Sequence, residues 1–270
     1  MNRKSTPGSN ITLITDFGTV DGYVGAMMGV FASRCPTATI TSITNSIPPH
    51  DIAAAGWALA NAWWTFPEGS VHVVVVDPSV GSKRRGLVVE ASGHLFVGPD
   101  NGVFPWALEE ISGLHVRSIE NPELSPADAS PTFHGRDVFA PCAAALASGF
   151  AVVDVGPSVD DPATIPKPKC EISQSGELVG GVLMADRFGN LVTTIASSAV
   201  EELYRGEFQD AVSARVNDQE VQMANTFCDV GVGESVVYLG SLYRVEVAVN
   251  QGSALERYGR DAIVKLRLAR

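Results

Sequence analysis

Short β-branched runs alternate with stretches of helical spacing through the first part of the chain. Ile11 to Thr15 reads as a strand that ends at Asp16, and apolar positions from Asp21 to Arg34 then recur at helical intervals behind an acidic start. The pattern repeats. Ala38 to Thr44 is a second strand, Pro48 and Pro49 break it, and Asp51 caps an Ala- and Trp-rich helix that runs to Phe66. Val71 to Val76 is continuous and β-branched, as expected of a strand buried on both faces of a parallel sheet, and it stops at Asp77-Pro78. Further β material follows at Gly86 to Ala91 and His94 to Val97. A turn at Pro99-Asp100-Asn101-Gly102 leads into an apolar helix to Ile111, and a helix from Asp137 to Ser148 closes the region.

The stretch GPSVDDPATIPKPK, Gly156 to Lys169, is too rich in Pro and Asp for a regular element and reads as a linker. Beyond it the spacing changes to short strands without strong intervening helices: Leu178 to Met184, Leu191 to Ile195, Ala211 to Val216, Glu220 to Ala224, Ser235 to Leu239, Arg244 to Val249 and Ala262 to Leu268. Asn217-Asp218 fits a hairpin turn. The expected fold class is therefore α/β: an amino-terminal α/β domain with a largely parallel sheet over 1–157, a linker at 158–172, and a smaller, mostly-β, barrel-like domain over 173–270. In open α/β sheets ligands collect beyond the carboxyl ends of strands. Asp16, Thr44-Asn45 and Asp77 all lie at such ends, which points to one crevice.

Composition narrows the function. The 270 residues are 45% hydrophobic and 18% charged, ordinary values for a globular chain. The net charge of −11 opposes a phosphate backbone, so nucleic acid is not expected, whereas a cationic small molecule is compatible. The polar amino terminus runs straight into a strand, with neither a secretory signal nor a membrane span, which gives a cytoplasmic expectation and no membrane partner. The four cysteines, Cys35, Cys142, Cys170 and Cys228, are scattered without metal-binding spacing and read as reduced core thiols. No metal is expected, because none of the five histidines pairs with another at i, i+4 or joins a ligand cluster. His50 follows two prolines, His72 starts a buried strand, and His94 and His115 sit near turns. His134 differs: it precedes a helix inside TFHGRD, where Gly135 lets backbone approach a ligand.

Two strings mislead. Asp16-Phe17-Gly18 and His134-Gly135-Arg136-Asp137 spell fragments of kinase motifs, but in reversed order and without a Gly-rich phosphate loop. The wider ordered set is more specific: TDFG, IPPHD at Ile47 to Asp51, VVDPSVGSKRRG around Asp77, VGPDNG at Val97 to Gly102, TFHGRDVFAP at Thr132 to Pro141, DRFGN at Asp186 to Asn190, then YLGS and NQGSA. Together these resemble the S-adenosyl-L-methionine (SAM) hydroxide adenosyltransferase family, hydrolytic relatives of the fluorinating and chlorinating enzymes, across nearly the whole chain.

The resemblance implies a SAM hydrolase that attacks ribose C5′ with water to give adenosine and methionine, using SAM as substrate and no cofactor. It also implies a homotrimer with sites completed by a neighbouring subunit. An Asp-Arg-His set handles the water in the hydrolytic members, and the matching residues are Asp77, Arg84 and His134. His134 is expected to accept or relay the proton, Asp77 to orient it or serve as an alternative base, and Arg84 to position the water. Arg85 is a neighbouring candidate for the guanidinium. Halogenating relatives differ here, tyrosine being among the residues they carry. A carboxylate at position 77 disfavours an anionic nucleophile, and a halogenase or a non-catalytic SAM sensor are the competing readings.

Matching positions for the substrate follow. Asp16 is expected on the ribose hydroxyls, Asp21 is a further expected substrate-binding residue, and His50 stands where relatives place an aromatic over the ribose. Phe133 and Phe227 flank adenine in this reading, Asp186 and Asn190 meet the methionine end and the adenine side, and Phe188 packs nearby. Ser241 matches a methionine-carboxylate contact, although its neighbour Leu242 replaces an arginine of the halogenating relatives. Asn250 and the run to Ser253 and Ala254 match a loop that closes on adenine.

Overall fold

A computed structural model describes residues 10–204 and 211–268. Internal contacts divide the chain into two compact units, with the break between Pro166 and Lys167.

In the first unit a six-stranded sheet has the order β2-β1-β3-β5-β4-β6. Its strands are β1 (Asn10–Thr15), β2 (Thr39–Thr44), β3 (Val71–Val75), β4 (Gly86–Ala91), β5 (His94–Pro99) and β6 (His115–Ser118). β2, β1, β3 and β5 are parallel, while β4 runs antiparallel to both β5 and β6. The sheet is thus mixed, with its parallel part centred on β1 and β3. Strand alternation divides the core. Ile11, Leu13, Val71, Val73 and Val75 pack with Met27, Phe31 and Ala143 on one face, while Ile14, Val74 and Val76 pack with Ala55, Leu59 and Phe104 on the other. The first face is covered by α1 (Tyr23–Arg34) and α4 (Ala140–Ala147), the second by α2 (Ile52–Ala60) and α3 (Val103–Ala107). Burial of both faces is the reason β3 carries no polar alternation except His72, which is itself fully buried.

Several local expectations change. The helix expected to run to Phe66 stops at Ala60 and a 3₁₀ turn covers Trp63–Thr65. The one expected from Asp137 starts as a π-helical turn, Gly135–Phe139, ahead of α4. His94 follows the turn between β4 and β5, as expected, but is buried, and β6 had no counterpart in the sequence pattern.

The second unit contains β7 (Glu171–Ile172), β8 (Leu178–Ala185), β9 (Leu191–Ala196), β10 (Ala211–Val216), β11 (Gln219–Met223), β12 (Ser235–Leu239), β13 (Arg244–Val249) and β14 (Ile263–Leu268). The order β14-β10-β11-β12-β13-β9-β8 returns on itself through a β14–β8 pairing, closing a seven-stranded barrel with β7 added beside β8. Leu191, Ile195, Val216, Val237, Val245, Val247 and Leu266 fill its core. Asn217 and Asp218 both take positive φ, the requirement of the tight turn that joins β10 to β11. Two helices interrupt the strands where none of strength was expected, α5 (Ser197–Tyr204) and α6 (Ala254–Tyr258). Cys35 and Cys142 are buried as expected and Cys170 is half-buried, but Cys228 is exposed, so the core-thiol reading fails there.

Candidate active site

The crest of the first sheet gathers the charged residues. β3 delivers Asp77 at its carboxyl end, and the loop that follows folds back to bring Arg84 onto it. Arg84 Nε donates to both Asp77 oxygens, at 3.1 and 2.9 Å, and Nη2 also donates to Oδ2. Ser79 Oγ donates to Oδ1 at 3.1 Å. Both partners are nearly dry, with side chains 8% and 5% exposed. The same Nη2 reaches His134 Nδ1 at 2.7 Å, and Nη1 donates to the Arg85 carbonyl at 3.2 Å. Arg84 therefore joins Asp77 to His134, and it is the guanidinium rather than the carboxylate that His134 meets.

Packing holds this triad in place. The Phe139 ring lies under the Arg84 guanidinium at 5.2 Å and edge-on to His134 at 6.5 Å. Gly135 allows the π turn to close on β3, since a Cβ there would sit 3.2 Å from Met27 Sδ and 3.3 Å from Val75 Cγ1. Gly81, at φ +81°, leaves room for the Pro131 carbonyl, which a Cβ would meet at 2.8 Å. Gly81 thus lets the loop that carries Arg84 approach the segment ahead of His134, and Gly135 lets the His134 turn settle on β3 and α1.

A guanidinium only donates, so His134 Nδ1 is the acceptor and the neutral ring carries its proton on Nε2. Burial, and after it the Arg84 charge, hold the His134 pKa below its ordinary 6.5. Arg85 does not compete for Asp77. It bonds Asp100 at 2.7 Å through Nε and Asp161 at 2.7 Å through Nη1, while Asp100 accepts from Ala163 N and Asn101 Nδ2 donates to the Val76 carbonyl. The VGPDNG motif thus braces the backbone just before Asp77.

A cleft of about 290 Å³ opens beside the triad, lined by Asp77 and His134 on one side and by Asp16, Pro49 and His50 on another. Asp16 Oδ2 accepts from His50 N at 2.9 Å, and His50 is held at φ +69°, a strained conformation for a non-glycine residue. Phe133 lines the cleft. Phe17, Tyr23, Val80 and Thr132 line it too, none of which the sequence had marked. Asp21 lies exposed ahead of α1 and is not among the lining residues.

The second unit carries the remaining candidates. Asp186 Oδ1 accepts from Phe188 N (2.8 Å) and Asn190 N (2.9 Å), and Oδ2 from Asn190 Nδ2 (2.9 Å), so DRFGN is a self-tied loop between β8 and β9. It meets NQGSA: the Gly189 carbonyl accepts from Leu255 N at 2.9 Å, and Gly189, at φ +82°, packs on Ser253. Ser253 Oγ caps α6 by accepting from Glu256 N, and Ala254 is buried beneath it. Asn250 is buried, its amide given to the Val230 carbonyl at 2.8 Å. Phe188 is 79% exposed, Ser241 sits exposed in the β12–β13 turn, and half-exposed Phe227 stands edge-on to Tyr238.

Glu246 was missed. It is 7% exposed on the outer face of the barrel, and Tyr238 Oη donates to its Oε2 at 2.6 Å. Gly240 packs against the other oxygen. Burial first, with the Asp186 charge adding to it, raises the Glu246 pKa, and no cation is bonded to Glu246 among the described residues. In the run RVEVAV a glutamate in phase with Arg244 and Ala248 reads as a solvent-facing residue, so the pattern held no signal for it.

Comparison with known proteins follows the same two-unit division. Residues 11–156 match the model of the SAM hydroxide adenosyltransferase N-terminal domain, and residues 180–263 that of the C-terminal domain. The chain belongs to the SAM hydroxide adenosyltransferase family. It is 39% identical to a Salinispora tropica protein named (R)-S-adenosyl-L-methionine hydrolase, covering 92% of this chain and 93% of that one. A Thermus thermophilus protein of the same name is 38% identical, with 96% and 98% covered. A fluorinase from Actinoplanes is more distant at 27% identity over 93% of this chain and 94% of its own. Among solved structures, an uncharacterised conserved protein from Thermotoga maritima superimposes with a TM-score of 0.86 at 34% identity, covering 95% of this chain and 99% of that one.

Proposed function

We propose that the chain hydrolyses SAM at ribose C5′, releasing adenosine and L-methionine, and that it takes the (R) epimer at sulfur named for its hydrolase relatives. The observation that carries this reading is the Asp77–Arg84–His134 set on the wall of a cleft that also presents Asp16. In the reaction a water oxygen bonds to C5′ while the C5′–S bond breaks, and its electron pair stays on sulfur, which leaves as the neutral thioether of methionine. The leaving group needs no proton and no cofactor; only the water must lose one.

With Arg84 on Nδ1, His134 offers an Nε2–H donor that holds the water oxygen, and Asp77, lining the cleft, accepts the proton. Asp16 receives the ribose hydroxyls bidentately, beneath His50. From the second unit, Asp186 and the uncompensated Glu246 suit the methionine ammonium, since a buried carboxylate gains from an arriving cation. Ser241 faces the methionine carboxylate, and Asn190, Phe227 and the run to Ala254 attend adenine, with Asn250 holding that run from behind. The assembly in this reading is a homotrimer in the cytoplasm.

The test is incubation with each SAM epimer in oxygen-18 water, with and without chloride, followed by mass spectrometry of the nucleoside. Adenosine labelled at O5′, formed from the (R) epimer at a rate indifferent to chloride, is the expected product. A 5′-chlorinated nucleoside would replace this reading with the halogenase, and binding without product would replace it with a sensor.

A further inference from the structure

Tyr23 opens α1 beside the cleft as a half-exposed residue (51%), and its hydroxyl makes no hydrogen bond among the described residues. Exposure of so large a ring ordinarily costs hydrophobic burial, yet this one is fixed in place. Phe133 meets it edge-on at 5.2 Å and 89°, Phe17 packs at 5.7 Å, and Phe17 and Phe133 contact each other at 5.9 Å. The three rings form one wall of the cleft that holds Asp77, His134 and Asp16. Two of them are already committed: the Arg136 guanidinium lies over Phe133 at 5.0 Å, and Phe17 packs into the core. Tyr23 is the ring left to a ligand.

Resting on the hydrolase reading, we propose that Tyr23 is the specificity residue that recognises the sulfonium and selects its configuration. In-line displacement places sulfur on the far side of C5′ from the water, roughly 5 Å beyond the attacking oxygen, and so away from Arg84. There the aromatic wall offers what a sulfonium needs. The S-methyl group carries part of the positive charge, and the negative face of an aromatic ring attracts it, as aromatic cages attract quaternary ammonium. With ribose and the methionine chain both held, the two sulfur epimers differ by exchanging methyl and lone pair. A ring that faces the methyl of one epimer faces the lone pair of the other, which it repels. The neutral thioether S-adenosylhomocysteine, which has no methyl, gains nothing from the ring's charge attraction.

Equilibrium binding of (R)-SAM, (S)-SAM and S-adenosylhomocysteine tests this in a His134→Ala background that suppresses turnover, with Tyr23→Leu and Tyr23→Phe added. Tyr23→Leu is expected to weaken (R)-SAM about tenfold and S-adenosylhomocysteine less than about twofold, so that both the charge preference and the epimer preference narrow. Tyr23→Phe, which keeps the ring, is expected to keep both preferences. Equal losses for SAM and S-adenosylhomocysteine in Tyr23→Leu, or an unchanged epimer ratio, overturn the proposal, as does a Phe variant that behaves like Leu. A His134-intact protein that binds (R)-SAM but forms no adenosine would defeat the hydrolase reading alone, since the binding ratios still decide the role of Tyr23.

Discussion

Arg84 is the residue on which the candidate centre depends, because one nitrogen, Nη2, serves both Asp77 and His134. Arg84→Ala leaves a nearly dry carboxylate without its partner, which costs about 3–5 kcal/mol of stability, and removes the positioning charge, which lowers kcat by about 10²-fold or more. Thermal melts and single-turnover rates read the two effects separately; a variant that melts and turns over normally would remove Arg84 from both roles. His134 permits a finer test. If it donates through Nε2, His134→Gln retains a donor and outperforms His134→Ala, whereas a general base at this position predicts equal loss. Its pKa lies below 6.5, so the ring stays neutral at neutral pH. Protonation as pH falls puts a second donor on Nδ1 against Arg84, and kcat should decline on an acid limb centred below 6.5 and absent from the Gln variant. At this scale the sequence was legible where motif offsets picked out residues that meet in space, as for Asp77, Arg84 and His134. Tyr23 and Glu246 were not, since an aromatic at a helix start and a glutamate in an alternating strand are ordinary until their neighbours in space are known.

Elements show the same division. β3 was legible because burial on both faces demands an unbroken β-branched run. Its one polar residue is explained only by pairing: His72 Nδ1 contacts Thr12 Oγ1 at 2.8 Å from β1, and Nε2 contacts His94 Nδ1 at 3.1 Å from β5. The π turn that aims His134 was not legible, since a single turn of wider hydrogen bonding leaves no periodic trace before α4 begins. The His72 site carries its own consequence. Burial, then the neighbouring His94, lowers its pKa from 6.5 to about 3, so the folded protein keeps the ring neutral while the unfolded chain takes up a proton. A folded pKa below the unfolded one contributes stability that is full above pH 6.5 and lost as pH falls toward 3, at about 1.4 kcal/mol per pH unit for one proton. Chemical denaturation should show the wild type losing about 2–3 kcal/mol from this site between pH 6.5 and about pH 4.5. His72→Gln, which does not titrate, should flatten that slope, and an unchanged slope would place the proton uptake elsewhere.

For the molecule as a whole, two features lay beyond local pattern. Closure of the barrel depends on β14 reaching β8 across most of the second unit, and a strand pattern specifies which face is buried but not which distant strand it will pair with. The other is charge. A net −11 says nothing about fold, yet it sets the long-range field through which a substrate arrives. SAM at neutral pH carries a sulfonium, an ammonium and one carboxylate, a net cation, and the cleft meets it with Asp16 and Asp77 while Arg84 is screened behind its own ion pair. Salt shortens the reach of that field from about 30 Å at 0.01 M to about 10 Å at 0.1 M. Across this interval kcat/KM for SAM should fall a few-fold at constant pH, whereas inhibition by adenosine, which is uncharged, should hold steady. Running the series in both sodium chloride and sodium acetate separates the field from the anion. A loss common to both salts is the electrostatic one expected here. A response confined to chloride would mean that an anion enters the centre, against the carboxylate at position 77. A flat profile in both would mean that the acidic surface serves solubility alone and that the cleft draws in its cation only at contact distance.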